Sequence, residues 1–221
     1  MVIAHIDTPI LLIGGGGHAR VCLDLLIRQN MQVLGYIAKG PSLLIQVVPY
    51  LGEDDQVQSF APNEIQLVMG IGFSIGCSLR EALFNRYKSL GYHFATLIHD
   101  TAIVSTNVQL GEGAQMMAGA VVQTDAVIGE NSLINTRASV DHDSQIGAHA
   151  AVMPGTTICG NVCVAERVFV GAGTTIIPNL TIGENSVIGA GSVVVDHLPA
   201  HSFAYGVPAT ARERGNNLDP C

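Results

Sequence analysis

Hydrophobic positions repeat every six residues from Ile98 to Val194. Stepping by six from Ile98 through Val122, Val140, Ile158 and Ile176 to Val194 meets only aliphatic side chains and Met116, at 17 positions in all. Two residues before each lies a small or slim side chain, as at Ala126, Ala138, Ser144, Ala150 and Thr156, with Leu180 the large exception. A glycine often follows the aliphatic, as at Gly111, Gly129, Gly147, Gly171 and Gly189.

Six fits neither the 3.6-residue period of a helix nor the period of two of a long strand. It fits a triangular solenoid, and fixed-period self-similarity of this kind is a specific signal. In each hexad the aliphatic and the small residue two before it point inward from a short strand, and the next residues, often led by glycine, turn a corner. Three hexads close a coil of 18 residues, which stacks Gly111, Gly129 and Gly147 in one corner column. The inward column alone buries too little to order so long a stretch. Hydrogen bonds between coils, covered ends and an outer face buried in an oligomer are therefore expected. Periodicity does not set the hand of the coil.

Before residue 96 the pattern is different. A strand over 9–13 runs into Gly14-Gly15-Gly16-Gly17-His18-Ala19-Arg20, and a helix is expected over 21–28. Further strands are expected over 33–37, 64–70 and 92–98, with a helix over 79–90 that carries Arg80, Arg86 and Lys88 on its polar face and stops at Gly91. Strand, glycine turn and helix form a nucleotide-type cradle, in which glycines let a ligand approach backbone amides at a helix N-terminus. Gly14, Gly16 and Ala19 satisfy G-x-G-x-x-A, but the acidic residue that a dinucleotide site wants after the second strand is replaced by Ala38-Lys39-Gly40, which disfavours NAD. The domains read as 1–95, an α/β Rossmann-like domain; 96–199, the solenoid; and 200–221, a tail that is polar from Arg212 onward.

Composition narrows the function classes. A net charge of −8 without any basic run argues against nucleic acid. Five scattered cysteines read as reduced thiols. The lack of an apolar run near 18 residues and of a charged leader points to a soluble, cytoplasmic protein with no membrane insertion.

One corner carries candidate chemistry. His142 sits in Asp141-His142-Asp143, directly after the inward Val140. A corner side chain points outward, and the adjacent carboxylate can fix the imidazole tautomer and raise its basicity, as a general base near neutral pH requires. One coil on, 18 residues away, stands Gly160, whose backbone falls about 4.8 Å from His142 and could offer an amide to an oxyanion. His149 lies at another corner, and the solenoid holds no His pair at ligand spacing, so no metal is expected.

Taken together, the glycine turn, the hexads, Leu133-Ile134-Asn135-Thr136 and Gly206-Val207-Pro208-Ala209 resemble the sugar acetyltransferases of the PglD and NeuD type. The resemblance implies a left-handed parallel β-helix behind the Rossmann-like domain, a homotrimer, and acetyl-coenzyme A as acetyl donor. By that resemblance His142 is the general base and Asp143 the acidic residue that raises its basicity, while Asn135 faces the acceptor amine. Gly16, Gly17, His18 and Gly72 would hold a nucleotide-activated amino sugar, and the second-strand end at Ala38 and Lys39 would help select the nucleotide. Ala151, Ala172 and Ala190 would line a coenzyme A groove between subunits. The implied activity is N-acetylation of a nucleotide-linked 4-amino-4,6-dideoxy sugar, with UDP the favoured nucleotide and bacillosamine-type glycan biosynthesis the setting. O-acetylation of a sialic acid, a non-catalytic nucleotide-sugar-binding trimer and a zinc lyase on the same solenoid remain alternatives. Two departures bear on the site: Ala38-Lys39 replaces the acidic pair common in UDP-sugar binders, and Ala151 stands where many relatives have His.

Overall fold

The computed structural model describes residues 8–43 and 45–212, which divide into two compact units, 8–96 and 97–212. In the first unit β1 (Ile10–Ile13), β2 (Val33–Ile37), β3 (Tyr50–Gly52) and β4 (Gln66–Met69) form one parallel sheet in the order β3-β2-β1-β4. Every residue of β1 and β4 is buried, as expected of strands covered on both faces. The sheet lies with α1 (Gly17–Arg28) and α2 (Leu79–Ser89), and its aliphatic core is completed by Phe84, Tyr87, Tyr92 and Phe94. Because β1 pairs with β2 on one side and β4 on the other, the loops leaving β1 and β4 flank a topological switch point, where open α/β sheets bind ligands.

Local readings depart from the sequence in three places. Helix α1 starts at Gly17, four residues before the expected 21, because its first turn of Gly-His-Ala-Arg carries no apolar period to read. Strand β3 and the 3₁₀ turn Asp54–Ser59 were not expected; they are too short for a hydrophobic pattern to develop. The strand over 92–98 reduces to isolated bridges at Phe94, paired with Leu67, and at Thr96, and β5 (Leu97–Ile98) opens the second unit. Gly91 does end the region of α2, at φ +88°.

The second unit is the solenoid that the six-residue period predicts. Seventeen two-residue strands, from β5 to β21 (Val193–Val194), build three parallel sheets in which each strand pairs with the one 18 residues later, for example Ile128 with Ile146. The fold is a left-handed parallel β-helix of hexapeptide repeats. Coils are joined by ladder bonds such as Gln145 N–H to Val162 O and Gly147 N–H to Val164 O, both 2.8 Å. The inward aliphatics and the small residues two before them, Ala126, Ser132, Ala138 and Ala150 among them, are buried throughout the middle coils.

The corners work differently from the expectation that a leading glycine makes the turn. The left-handed residue is the third after the aliphatic, with φ between 53° and 70° at every sixth position from Gly113 to Gly191, and it is Asp, Asn, His or Arg more often than Gly. Asn and Asp enter this region more readily than most side chains. Gly111, Gly129 and Gly147, directly after the aliphatic, answer another need: a Cβ at Gly129 would lie 2.5 Å from Ala148 N in the next coil. Stacking distance, not backbone angle, selects glycine there.

Residues 203–212, assigned from sequence to a tail, are ordered as an antiparallel hairpin of β22 (Phe203–Gly206) and β23 (Ala209–Arg212), and β22 extends the sheet of β20 (Val187–Ile188). Gly206-Val207-Pro208-Ala209 makes its turn, through a cis peptide at Pro208. The tail beyond Arg212 lies outside the described residues. Cys22, Cys159 and Cys163 are free thiols. No helix among the described residues is long and apolar enough to cross a membrane.

Candidate active site

At the switch point of the first unit, β1 runs straight into the glycine turn. Gly14 has φ +111°, which a side chain rarely adopts, and Gly16 is the extended N-cap of α1. The N-cap makes no side-chain hydrogen bond to that helix, whose N-terminus is the kind of end that suits an anionic ligand. A Cβ on Gly16 or Gly17 would meet nothing within 4 Å; the bare backbone is open on the outside. Gly72, on the loop after β4, packs against His18, with 3.3 Å between a Cβ placed there and that of His18. The structure thus brings Gly16, Gly17, His18 and Gly72 to one place. Ala38 joins them, since a Cβ on Gly15 would lie 3.2 Å from its methyl, whereas Lys39 is exposed.

Residues that sequence reading passed over or misplaced shape this end. Ser42 Oγ donates to Gly15 O at 2.6 Å, and Ser42 N–H donates to Tyr36 Oη at 2.7 Å, tying the loop after β2 to the glycine turn. Arg80 is not on a polar face: it is buried at 3% exposure and donates to Ile71 O at 2.6 Å and to Met69 O at 3.4 Å, with Phe73 stacked 4.6 Å from its guanidinium. Burial lowers its pKa to about 9 and pushes the neighbouring Cys22 thiol up to about 12. Nothing in a periodic pattern marks a cation as buried; only the turn of α2 toward the sheet does.

In the second unit the corner after β12 (Ser139–Val140) presents His142 and Asp143 to solvent, 57% and 60% exposed. Asp143 is the left-handed residue, φ 59°, and its carboxylate Oδ2 accepts from His142 Nδ1 at 2.7 Å. Nδ1 therefore carries the proton and Nε2 keeps its lone pair. The Asp143 hydrogen bond, and then the charge of Asp141, raise the His142 pKa above its ordinary 6.5. Asp141 Oδ1 also accepts the His142 backbone N–H at 2.9 Å, which stiffens the corner.

Gly160 lies in the same corner one coil on, after β15 (Thr157–Ile158), buried against the His142 ring. A Cβ there would stand 2.6 Å from Nε2, so glycine is required for the ring's position. The peptide that carries its amide is oriented by Ser144, a buried residue whose hydroxyl donates to Cys159 O at 2.9 Å. Carbonyl and N–H point oppositely across a trans peptide, so an inward Cys159 carbonyl turns the Gly160 N–H outward. Among the described residues no acceptor takes it.

The remaining candidates lie elsewhere in the coil. Asn135 follows β11 (Leu133–Ile134), and its Oδ1 is engaged by Thr136 N–H at 2.7 Å. Ala172 and Ala190 stack in that same corner column, both exposed, beside Gly173 and Gly191, where a Cβ would meet nothing within 4 Å. The column is thus a bare strip of backbone. Ala151 is apart from it, on β14 (Ala151–Val152) and fully buried. A single coil therefore separates His142 from Asn135, Ala172 and Ala190 by one side of the triangle. No group of three or more His, Cys, Asp or Glu able to hold a metal occurs among the described residues.

Known proteins share this architecture. Residues 9–87 match the PglD N-terminal domain family, and residues 161–196 match the bacterial transferase hexapeptide family of six repeats. No curated protein matches the chain. Among solved structures, PerB from Caulobacter crescentus in complex with CoA and GDP-perosamine is 36% identical over 93% of this chain and 98% of its own, with a TM-score of 0.84. The acetyltransferase domain of PglB from Neisseria gonorrhoeae is 27% identical over 93% and 100%, with a TM-score of 0.87. A GDP-perosamine N-acetyltransferase from Caulobacter crescentus, solved as a histidine-to-alanine variant with the same two ligands, is 35% identical over 94% and 98%, with a TM-score of 0.87. Identity at that level along nearly the whole of both chains, with both domain families matched in order, places this chain in the PglD family of sugar N-acetyltransferases, as an acyltransferase.

Proposed function

We propose that the chain transfers the acetyl group of acetyl-coenzyme A to the amine of a nucleotide-linked 4-amino-4,6-dideoxy sugar, with His142 as general base. The observation that carries this reading is the His142 ring itself, its Nδ1 tied to Asp143 at 2.7 Å and its Nε2 turned to Gly160. The sugar amine attacks the thioester carbonyl, a C–N bond forms, and the carbonyl oxygen gathers charge. His142 Nε2 takes the amine proton, the Gly160 N–H supports the oxyanion, and the C–S bond breaks as the thiolate leaves and collects a proton. No covalent acetyl-enzyme is needed.

Coenzyme A is assigned to the bare column of Ala172, Gly173, Ala190 and Gly191. Because that column and Asn135 occupy a different corner from His142, one active site would draw its base from one subunit and its coenzyme A wall from another. This favours a homotrimer with β-helix axes side by side. Buried Ala151 contributes no side-chain contact to coenzyme A in such a site.

The nucleotide belongs to the first unit, at Gly16, Gly17, His18, Gly72 and Ala38, with Lys39 at the rim. UDP was favoured by resemblance, but the chain lacks the acidic pair after β2, and PerB is in complex with GDP-perosamine. A GDP-linked amino sugar is thus the first substrate to try, and the UDP-linked sugar of bacillosamine-type pathways the second. The test is coenzyme A release from acetyl-coenzyme A with a panel of GDP-, UDP- and dTDP-amino sugars; no release with any of them would refute the proposal.

A further inference from the structure

Arg80 is the one buried cation in the described first unit that contacts the loop beside the glycine turn, and the activity described above gives it no task. It sits on the second residue of α2, facing the sheet, with its Nη1 shared between two carbonyls at the end of β4. The two carbonyls have different histories. Gly70 N–H, across the peptide from Met69 O, already donates to Ile13 O in the sheet at 2.7 Å. Gly72 N–H, across the peptide from Ile71 O, has no acceptor among the described residues.

We propose that Arg80 is a positioning residue for nucleotide binding: by holding the Ile71 carbonyl it turns the Gly72 N–H toward the ligand, as a donor to a phosphate oxygen of the nucleotide diphosphate. The peptide after Ile71 is trans, since the cis bond among the described residues is at Pro208. Pinning its C=O at 2.6 Å therefore fixes its N–H in the opposite direction, away from the guanidinium. A Cβ on Gly72 would lie 3.3 Å from that of His18, the first side chain after the glycine turn, so Gly72 stands beside that turn. Phe73, stacked on the guanidinium at 4.6 Å, anchors the other end of the same loop. Loops are the mobile part of such a site, and this one would sample other peptide orientations without an internal donor for Ile71 O. Lysine lacks the planar guanidinium face that stacks on Phe73 while Nη1 holds the carbonyls.

This inference rests on the nucleotide-sugar reading, and the test separates the two. GDP and UDP are titrated calorimetrically into the intact wild-type protein and into R80M and R80K, with melting temperatures measured alongside. Whichever nucleotide binds wild type should bind R80M about tenfold more weakly, the scale of one lost charge-assisted hydrogen bond. R80K should fall between them. In the acetyl-transfer assay the KM for the amino-sugar substrate should rise by a similar factor, while kcat at saturation and the KM for acetyl-coenzyme A hold. Should R80M fail to fold, R80K decides. Equal nucleotide affinity in wild type and a folded variant would show Arg80 to be structural only and overturn the inference alone. Absence of GDP and UDP binding by wild type would overturn it, and together with no coenzyme A release across the whole amino-sugar panel would overturn the nucleotide-sugar reading as well.

Discussion

Replacing His142 by alanine isolates the proposed chemistry from the fold. The side chain is 57% exposed, and its backbone N–H bond to Asp141 survives the change, so the melting temperature should move by no more than about 2 °C. Turnover should fall by roughly 10² to 10⁴, the range of a positioned general base. Asp143→Asn is the sharper companion. Asparagine tolerates φ 59° as well as aspartate does, so the corner keeps its shape while the charge that accepts from Nδ1 is lost. The sign of the pH effect follows from the cause of the shift. Asp143 is the first contributor to a raised His142 pKa, and the neutral imidazole is the active form, so the wild-type rate should climb through a pH above 6.5. Removing Asp143 lowers that pKa, and the rising limb of kcat/KM should move to lower pH with a reduced plateau. The assay is coenzyme A release from pH 5.5 to 9 at saturating acetyl-coenzyme A. Near wild-type turnover of His142→Ala across that range would refute the base assignment; an unmoved limb in Asp143→Asn would refute the role of the carboxylate.

Three further outcomes are expected. Gly160→Ala places a methyl 2.6 Å from Nε2, so turnover should drop toward the His142→Ala level with the melting temperature nearly unchanged; retained activity would mean the ring works from another position. Gly129→Ala drives a methyl against the Ala148 backbone and should cost about 3 kcal/mol, or roughly 10 °C in melting temperature, while a change at an exposed left-handed position, Asp125→Gly, should be far milder. Light scattering at micromolar concentration should return three times the chain mass; a monomer would leave the base and the coenzyme A column of one site without a means to meet.

How much of this was legible in the chain depends on whether a residue's role is periodic. The solenoid core was, because each aliphatic repeats one environment, and so was the stacking of His142 beneath Gly160, which follows from adding one coil. The reason for the corner glycines was not. Sequence shows Gly111 and Gly129 as turn formers, but the left-handed angle falls two residues later, on Gly113 and Asn131, and the glycines serve close stacking instead. Arg80 was misplaced for a related reason. In an amphipathic reading a cation belongs to the polar face, and its burial is decided by two main-chain carbonyls of another segment, which no side-chain pattern records. The hydrogen bonds of Ser42 and Ser144 were illegible likewise, since each acts on a backbone carbonyl far along the chain.

Those carbonyl contacts also explain how a chain with few charges can build sites for anionic partners. Of its cations, Arg167 is spent on Glu166 and Glu184 and Arg86 on Asp55, and the net charge is −8, so side-chain cations cannot dominate recognition. Backbone amides can, provided that something aims them. Ser144 takes the Cys159 carbonyl inward and turns the Gly160 N–H out beside His142; Arg80 takes the Ile71 carbonyl and turns the Gly72 N–H out beside His18. Both amides belong to glycines, which admit close approach of a ligand to the main chain. On this account the residues that set affinity are one peptide removed from the ligand, and Ser144→Ala should weaken oxyanion support while leaving the His142 pKa where it was. Turnover reduced about tenfold at an unshifted pH limb is the expected result; a shifted limb would mean that Ser144 acts through the imidazole instead.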